Sequence, residues 1–143
     1  MIYPLPVQAQ RIPDKPALVE DRPDGTVTAW TYAELNRQAN RLAHVFLDLG
    51  LKAGERIIVC GPNSPAVIRA GYARVKVGAT SVPLNYRLTP EEMTYIIDNC
   101  DAAMIYVDAE YAETFARIRA QIPRVRAIAV YGGTPPPLSL IHI

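Results

Sequence analysis

Apolar and polar residues alternate along this chain in two different rhythms. The clearest is the stretch 31–50, TYAELNRQANRLAHVFLDLG. Leu35, Ala39, Leu42, Ala43, Phe46 and Leu49 recur there at the spacing of one helix face. Arg37, Gln38, Arg41, His44 and Asp48 lie mostly off that stripe. Thr31, with Glu34 three residues on, predicts a capping box, and Trp30 and Leu35 stand at hydrophobic-staple positions. Gly50 suits the left-handed conformation that ends a helix.

The second rhythm is a series of short runs without polar alternation, at 56–60, 80–84, 103–107 and 127–130. Such runs read as strands covered on both faces. Each gap between them carries helix signals. Ser64 and Pro65 open a helix running to about Val77, before Gly78. Thr89, Pro90, Glu91 and Glu92 form a second capping box, with Met93, Ile96, Ile97 and Cys100 as its apolar stripe. Asp108 is placed to cap a third helix carrying Tyr111, Phe115, Ile118 and Ile122, stopped by Pro123. Strands and helices in alternation predict right-handed βαβ crossovers. The expected fold is α/β: a partial doubly wound parallel sheet with flanking helices. Runs at 17–20 and 27–30, joined through Pro23 and Asp24-Gly25, predict a small N-terminal β-hairpin. The first 16 residues hold four prolines and read as an arm with a short helical piece at 7–10.

Composition narrows the class further. Half of the residues are hydrophobic, a fifth are charged and the formal net charge is +1. That balance fits a globular domain and gives no reason to expect nucleic acid or an anionic membrane as partner. No apolar run approaches the roughly 20 residues of a membrane span. Prolines near the start stand where a signal peptide needs a basic flank and an apolar stretch, so the cytosol is the expected compartment. Cys60 and Cys100 each follow an apolar run and lack Cys-x-x-Cys spacing. They are expected to be buried reduced thiols.

Candidate chemistry belongs at the carboxyl ends of the strands, where open parallel sheets bind ligands. GPNSP, after the first strand, has one glycine and is not a dinucleotide turn. Ser64 can mark an anion site at a helix N-terminus, but ordinary capping accounts for the same residues. Asn85 and Arg87 can form a site edge; turn formation and a solvated cation are the plainer readings. Asp108 reads as a cap. His44 has no nucleophile or metal ligand to pair with, and Glu91 and Glu92, being adjacent, point apart on a helix. Tyr72, Tyr95, Tyr106 and Tyr111 suit core edges. No Walker loop or Gly-x-Ser-x-Gly turn is present.

Several stretches do resemble a family. PDKPALV (13–19), the run 31–64 and VKVGATSVPLNYRLTPEEMTYIIDNCDAAMIYVD (75–108) are similar to the N-terminal part of AMP-forming acyl-CoA synthetases. That adenylate-forming superfamily also holds nonribosomal-peptide adenylation domains and luciferases. The similarity runs from Pro13 to about Gly133 and is most specific at 31–35, at Gly78-Ala79 and at Val82-Pro83-Leu84-Asn85. It implies the N-terminal subdomain of such an enzyme. It also implies an overall reaction in which ATP, Mg2+ and a carboxylic acid give an acyl-adenylate that passes to coenzyme A.

The family's activating groups are a Ser/Thr/Gly-rich loop ending in Pro-Lys-Gly, a Thr-Glu pair, a ribose-binding Asp and a late Lys. None is found here. No catalytic, cofactor-binding or metal role is therefore carried over to any position, and the chain alone is expected to be inactive. Small departures are Gly54-Glu55 for the usual Gly-Asp, Pro65-Ala66-Val67 where many members have an acid, and a shorter arm.

The domain reading is an arm at 1–16, an incomplete AMP-binding subdomain at 17–133 and a truncated end at 134–143. Residues 138–143, LSLIHI, do not resemble the family. They resemble a translated transposon-end adapter from DNA library preparation and are expected to be non-native. Two other readings are a fragment of a carrier-protein-dependent adenylation domain and a standalone flavodoxin-like binding module.

Overall fold

The computed structural model describes residues 5–133 and the backbone of Ile141–His142. The first described element is helix α1 (Leu5–Arg11), longer than the helical piece expected in the arm, and its Leu5 is buried. Strands β1 (Pro16–Asp21) and β2 (Val27–Thr31) pair antiparallel as the predicted hairpin. Gly25, with φ +82°, closes its turn, and the Asp24 carboxylate accepts from the Thr26 amide at 2.8 Å.

Helix α2 (Tyr32–Asp48) has the expected capping box: Thr31 Oγ1 accepts from the Glu34 amide at 3.2 Å and Glu34 accepts from the Thr31 amide at 2.9 Å. Those two bonds satisfy N–H groups that a helix start leaves without partners. Its first turns carry Leu35 and Ala39 onto α1 and the hairpin; the later Ala43 and Phe46 turn toward the sheet.

The sheet consists of β3 (Arg56–Cys60), β4 (Thr80–Leu84), β5 (Ala102–Asp108) and β6 (Ala127–Tyr131), with the two-residue β7 (Ile141–His142) on its rim. All pairings are parallel and the order is β4-β3-β5-β6-β7. Strand β4 lies at the other rim. Its Pro83 has no N–H to give a ladder, which only a rim strand tolerates. Residues 138–140 and 143 of the tail lie outside the described residues; β7 shows only that an extended pair can join the rim of β6.

Alternation along the strands assigns the two faces. Ile58, Cys60, Leu84, Ile105, Val107, Ile128 and Val130 meet Met93, Ile97, Phe115 and Ile118 from the helices on one side. Ile57, Met104, Tyr106, Ala129 and Tyr131 face the other side, with Phe46, Ala70, Ala73 and Val77. The first side is covered by α4 (Pro90–Asn99) and α5 (Ala112–Arg117), the second by α2 and α3 (Pro65–Val77). The sheet is thus doubly wound, as expected.

Helices α2 and α3 are tied laterally: Lys76 Nζ donates to Asn36 Oδ1 at 2.8 Å, and Arg69 Nη1 to Gln38 Oε1 at 3.0 Å. At the amino end of the sheet, Arg126 donates to the Gly50 carbonyl at 2.8 Å and pairs with the Glu55 carboxylate.

Two expectations need correction. The third helix is not continuous. A 3₁₀ turn (Ala109–Tyr111), α5 and a second 3₁₀ turn (Arg119–Gln121) follow one another. Ala109, Ala112, Phe115 and Ile118 all pack on the core, and their repeat is three residues. A period of three matches the tighter 3₁₀ winding better than the 3.6 of an α-helix. Tyr95 is 70% exposed, so it projects from α4 instead of edging the core.

Candidate functional site

In the strand order β4-β3-β5-β6 the chain steps outward from β3 to β4, then returns past β3 to β5. Reversal of winding occurs between β3 and β5, and the crevice beyond their carboxyl ends is where such sheets bind ligands. The loop Gly61–Ser64 after β3 meets there Asp108, the last residue of β5, and Tyr131, the last of β6.

Register aligns these residues. Cys60 pairs with Val107 and Val107 with Val130, while Asp108 pairs with Tyr131. The next row across the sheet is therefore Gly61, Asp108 and Tyr131, all on the α2–α3 side. Tyr131 stacks on Tyr106 with ring centroids 4.5 Å apart, and Tyr106 meets Phe46 edge-on at 5.6 Å. The phenol of Tyr131 reaches across the row to Gly61. A Cβ at position 61 would stand 2.2 Å from Tyr131 Oη and 3.1 Å from Asp108 Cβ, and Gly61 has φ +153°. Only glycine fits both the conformation and the space.

Tyr131 Oη is buried and has no hydrogen-bond partner among the described residues. Burial, and then the Asp108 carboxylate, push its phenol up to about 12, while the Ser64 hydroxyl pulls the other way without reaching bonding geometry. Burial and Asp108 also push the Cys60 thiol up to about 12. It stays protonated at neutral pH and is no nucleophile.

The residues singled out from sequence are mostly committed to local structure. Ser64 Oγ accepts from the Val67 amide at 3.4 Å and caps α3. Asn85 Oδ1 accepts from the Arg87 amide at 3.0 Å, forming a turn, and the Arg87 guanidinium lies 5.5 Å from the Tyr86 ring centroid. Asp108 Oδ1 accepts from the Glu110 amide at 3.0 Å. Glu92 closes the capping box at Thr89 at 2.8 Å, while Glu91 and His44 are exposed. Cys60 is buried, as expected. Cys100 is only half-buried, because it stands at the C-terminal cap of α4, where the helix leaves the sheet.

Sequence reasoning missed a cleft of about 500 Å³ between α2, α3 and the carboxyl ends of β5 and β6. Its lining includes Gln38, Arg41, Val45, Arg69, Tyr106 and Tyr131. Gln38, Arg41 and Val45 recur along α2 beside the core stripe, which is the one trace of the cleft in the sequence. Arg69 comes from α3, 31 residues away from Gln38, and only the fold brings them together.

Residues 5–141 match the family model described as AMP-binding enzyme. The chain is 34% identical over 106 residues to crotonobetaine/carnitine–CoA ligase of Salmonella typhimurium, covering 74% of this chain and 20% of that protein. It therefore spans about a fifth of the length of the curated relatives it matches. Among solved structures, a Mycobacterium tuberculosis fatty acyl CoA synthetase superposes with TM-score 0.80 at 32% identity, over 88% of this chain and 25% of the other. Acetoacetyl-CoA synthetase from Streptomyces lividans superposes with TM-score 0.85 over 94% of this chain and 23% of that one. At 23% identity the latter speaks to the fold alone.

Proposed function

Because the chain belongs to the AMP-binding enzyme family, we propose that it is framework from the N-terminal part of an AMP-forming carboxylate–CoA ligase. In this reading the complete enzyme activates a carboxylic acid with ATP and magnesium as an acyl-adenylate, then transfers the acyl group to coenzyme A. The 143-residue chain performs neither step by itself.

One observation carries this reading. The polar groups at the carboxyl ends of β3 and β5 already serve the local backbone: Ser64 and Asp108 both accept from amides within three residues. These residues do not fit a triphosphate. Gly61 is closed off by the Tyr131 phenol, no cationic side chain joins this row, and the Asp108 carboxylate repels phosphate. Activation of a carboxylate depends on cations and oriented amides held against the phosphates.

The test is carboxylate-dependent exchange of labelled pyrophosphate into ATP. The expected result for the 143-residue chain is exchange no greater than a blank, against clear exchange for the product of the complete reading frame. Exchange by the short chain would overturn the proposal.

A further inference from the structure

Helix α3 is apolar on two sides. Ala70, Ala73 and Val77 pack beneath it. On the opposite side Ile68, Gly71 and Val75 recur at helical spacing, and Ile68 is 43% and Val75 50% exposed. A helix that is apolar around its girth is one suited to being covered. Helix α2 differs: off its core stripe it carries Arg37, Arg41, His44 and Asp48. Between the outer side of α3 and Leu5-Pro6 of α1 lies a groove of about 490 Å³, lined by Ile68, Gly71, Tyr72 and Val75.

Gly71 is the telling residue. Glycine in the interior of a helix weakens it, because the backbone gives up more freedom there than with any other residue. No positive φ requires glycine at this position, and a Cβ built on it would meet nothing within 4 Å. Neither the local backbone nor a described neighbour accounts for the missing side chain. A body that approaches the helix closely from outside does account for it.

Charge and length choose the occupant. Arg74 and Lys76 edge the groove, no carboxylate among the described residues lines it, and neither cation makes an ion pair among those residues. A second copy meeting it groove to groove would set these cations against their own kind. The chain spans about a fifth of the length of the curated relatives it matches, so in the framework reading most of the polypeptide lies beyond it. Resting on that reading, we propose that the groove is a docking surface for the downstream part of the same polypeptide, which lays an apolar segment with an acidic edge over Gly71, between Ile68 and Val75.

The test compares the product of the complete reading frame with the 143-residue chain. Val75→Cys is introduced into both, and its reaction with a maleimide is followed at that position by mass spectrometry. Labelling should be roughly tenfold or more slower in the complete protein, whatever the protein concentration, because a covered side chain reacts only when the cover opens. Adding Arg74→Glu should speed it, since a cation that faces an acidic edge becomes a like charge. Gly71→Leu should lower the urea midpoint of the complete protein, and leave that of the short chain unchanged or raised. Where the short chain does not unfold cooperatively, labelling of the complete protein decides. Equal labelling rates, protection that is lost on dilution, no response to Arg74→Glu, or a Gly71→Leu midpoint that falls in both proteins or in neither would each overturn the assignment. Pyrophosphate exchange by the short chain would sink the framework reading without altering these rates, so the two can fail separately.

Discussion

The two faces of one sheet are filled in different ways. On the α4–α5 face, two of the fifteen buried residues are alanine; the rest are mostly branched aliphatic, with Met93 and Phe115. On the α2–α3 face, seven of fourteen are alanine, and the bulk comes from Phe46, Tyr106 and Tyr131. Large interlocking side chains close the first face. Alanines let α2 and α3 lie near the strands on the second, and where they give way to Tyr106 and Tyr131 the layer opens into a cleft. The difference teaches that a doubly wound sheet can fill one side tightly and leave open space on the other.

The sharpest way to break this contrast is to truncate the filled face. Phe115 is fully buried, and Phe115→Ala should cost about 3–5 kcal/mol, measured as a fall in the urea midpoint. A loss well under 1 kcal/mol would mean the face is not tightly filled. Next in size is Gly61→Ala on the other face, expected to cost about 2–4 kcal/mol because the new Cβ collides with Tyr131 Oη and the backbone angle disfavours alanine. Tyr131→Phe removes an unpartnered hydroxyl and should be neutral or stabilising by up to about 1 kcal/mol. It should also recover part of the Gly61→Ala loss; strict additivity in the double variant would show that the two residues do not press on each other.

Enlargement sharpens the comparison further. Ile97→Phe on α4 should cost about 1–3 kcal/mol, whereas Val45→Phe, growing into open space, should stay within about 1 kcal/mol. Equal costs would contradict the asymmetry. The smallest effect is expected outside both cores. Arg126 holds the Glu55 carboxyl below its ordinary value of 4.5, against a smaller upward push from burial. The folded form therefore gains from this pair above pH 4.5, and the gain is lost as pH falls through the lower folded value. Both side chains are partly solvated, so Glu55→Gln should remove at most about 1 kcal/mol near neutrality and flatten the acid limb of a pH–stability profile.

The features legible in the sequence are those decided within a few residues. Thr31 with Glu34, Thr89 with Glu92, and Ser64 with Pro65 fix helix starts by bonds that span three positions. The unbroken apolar runs of β5 and β6 announce strands covered twice. The breakup of the segment after Asp108 was written in its three-residue repeat, but an apolar stripe reads as an α-helix until the packing surface is known. The cleft was less accessible still. Gln38 and Arg69 meet only because α2 and α3 run side by side, and Tyr131 reaches Gly61 only because register places them in one row. The recurrence of Gln38, Arg41 and Val45 along α2 is the cleft's one local trace, and that recurrence does not say what faces it.

Pro83 has a consequence for how this sheet meets other chains. A backbone with a missing donor makes a poor template, so recruitment of a further strand along β4 is disfavoured. Across the sheet, the outer rim of β6 does accept Ile141–His142. Lateral assembly is therefore polar: the sheet adds material beyond β6 and resists it beyond β4.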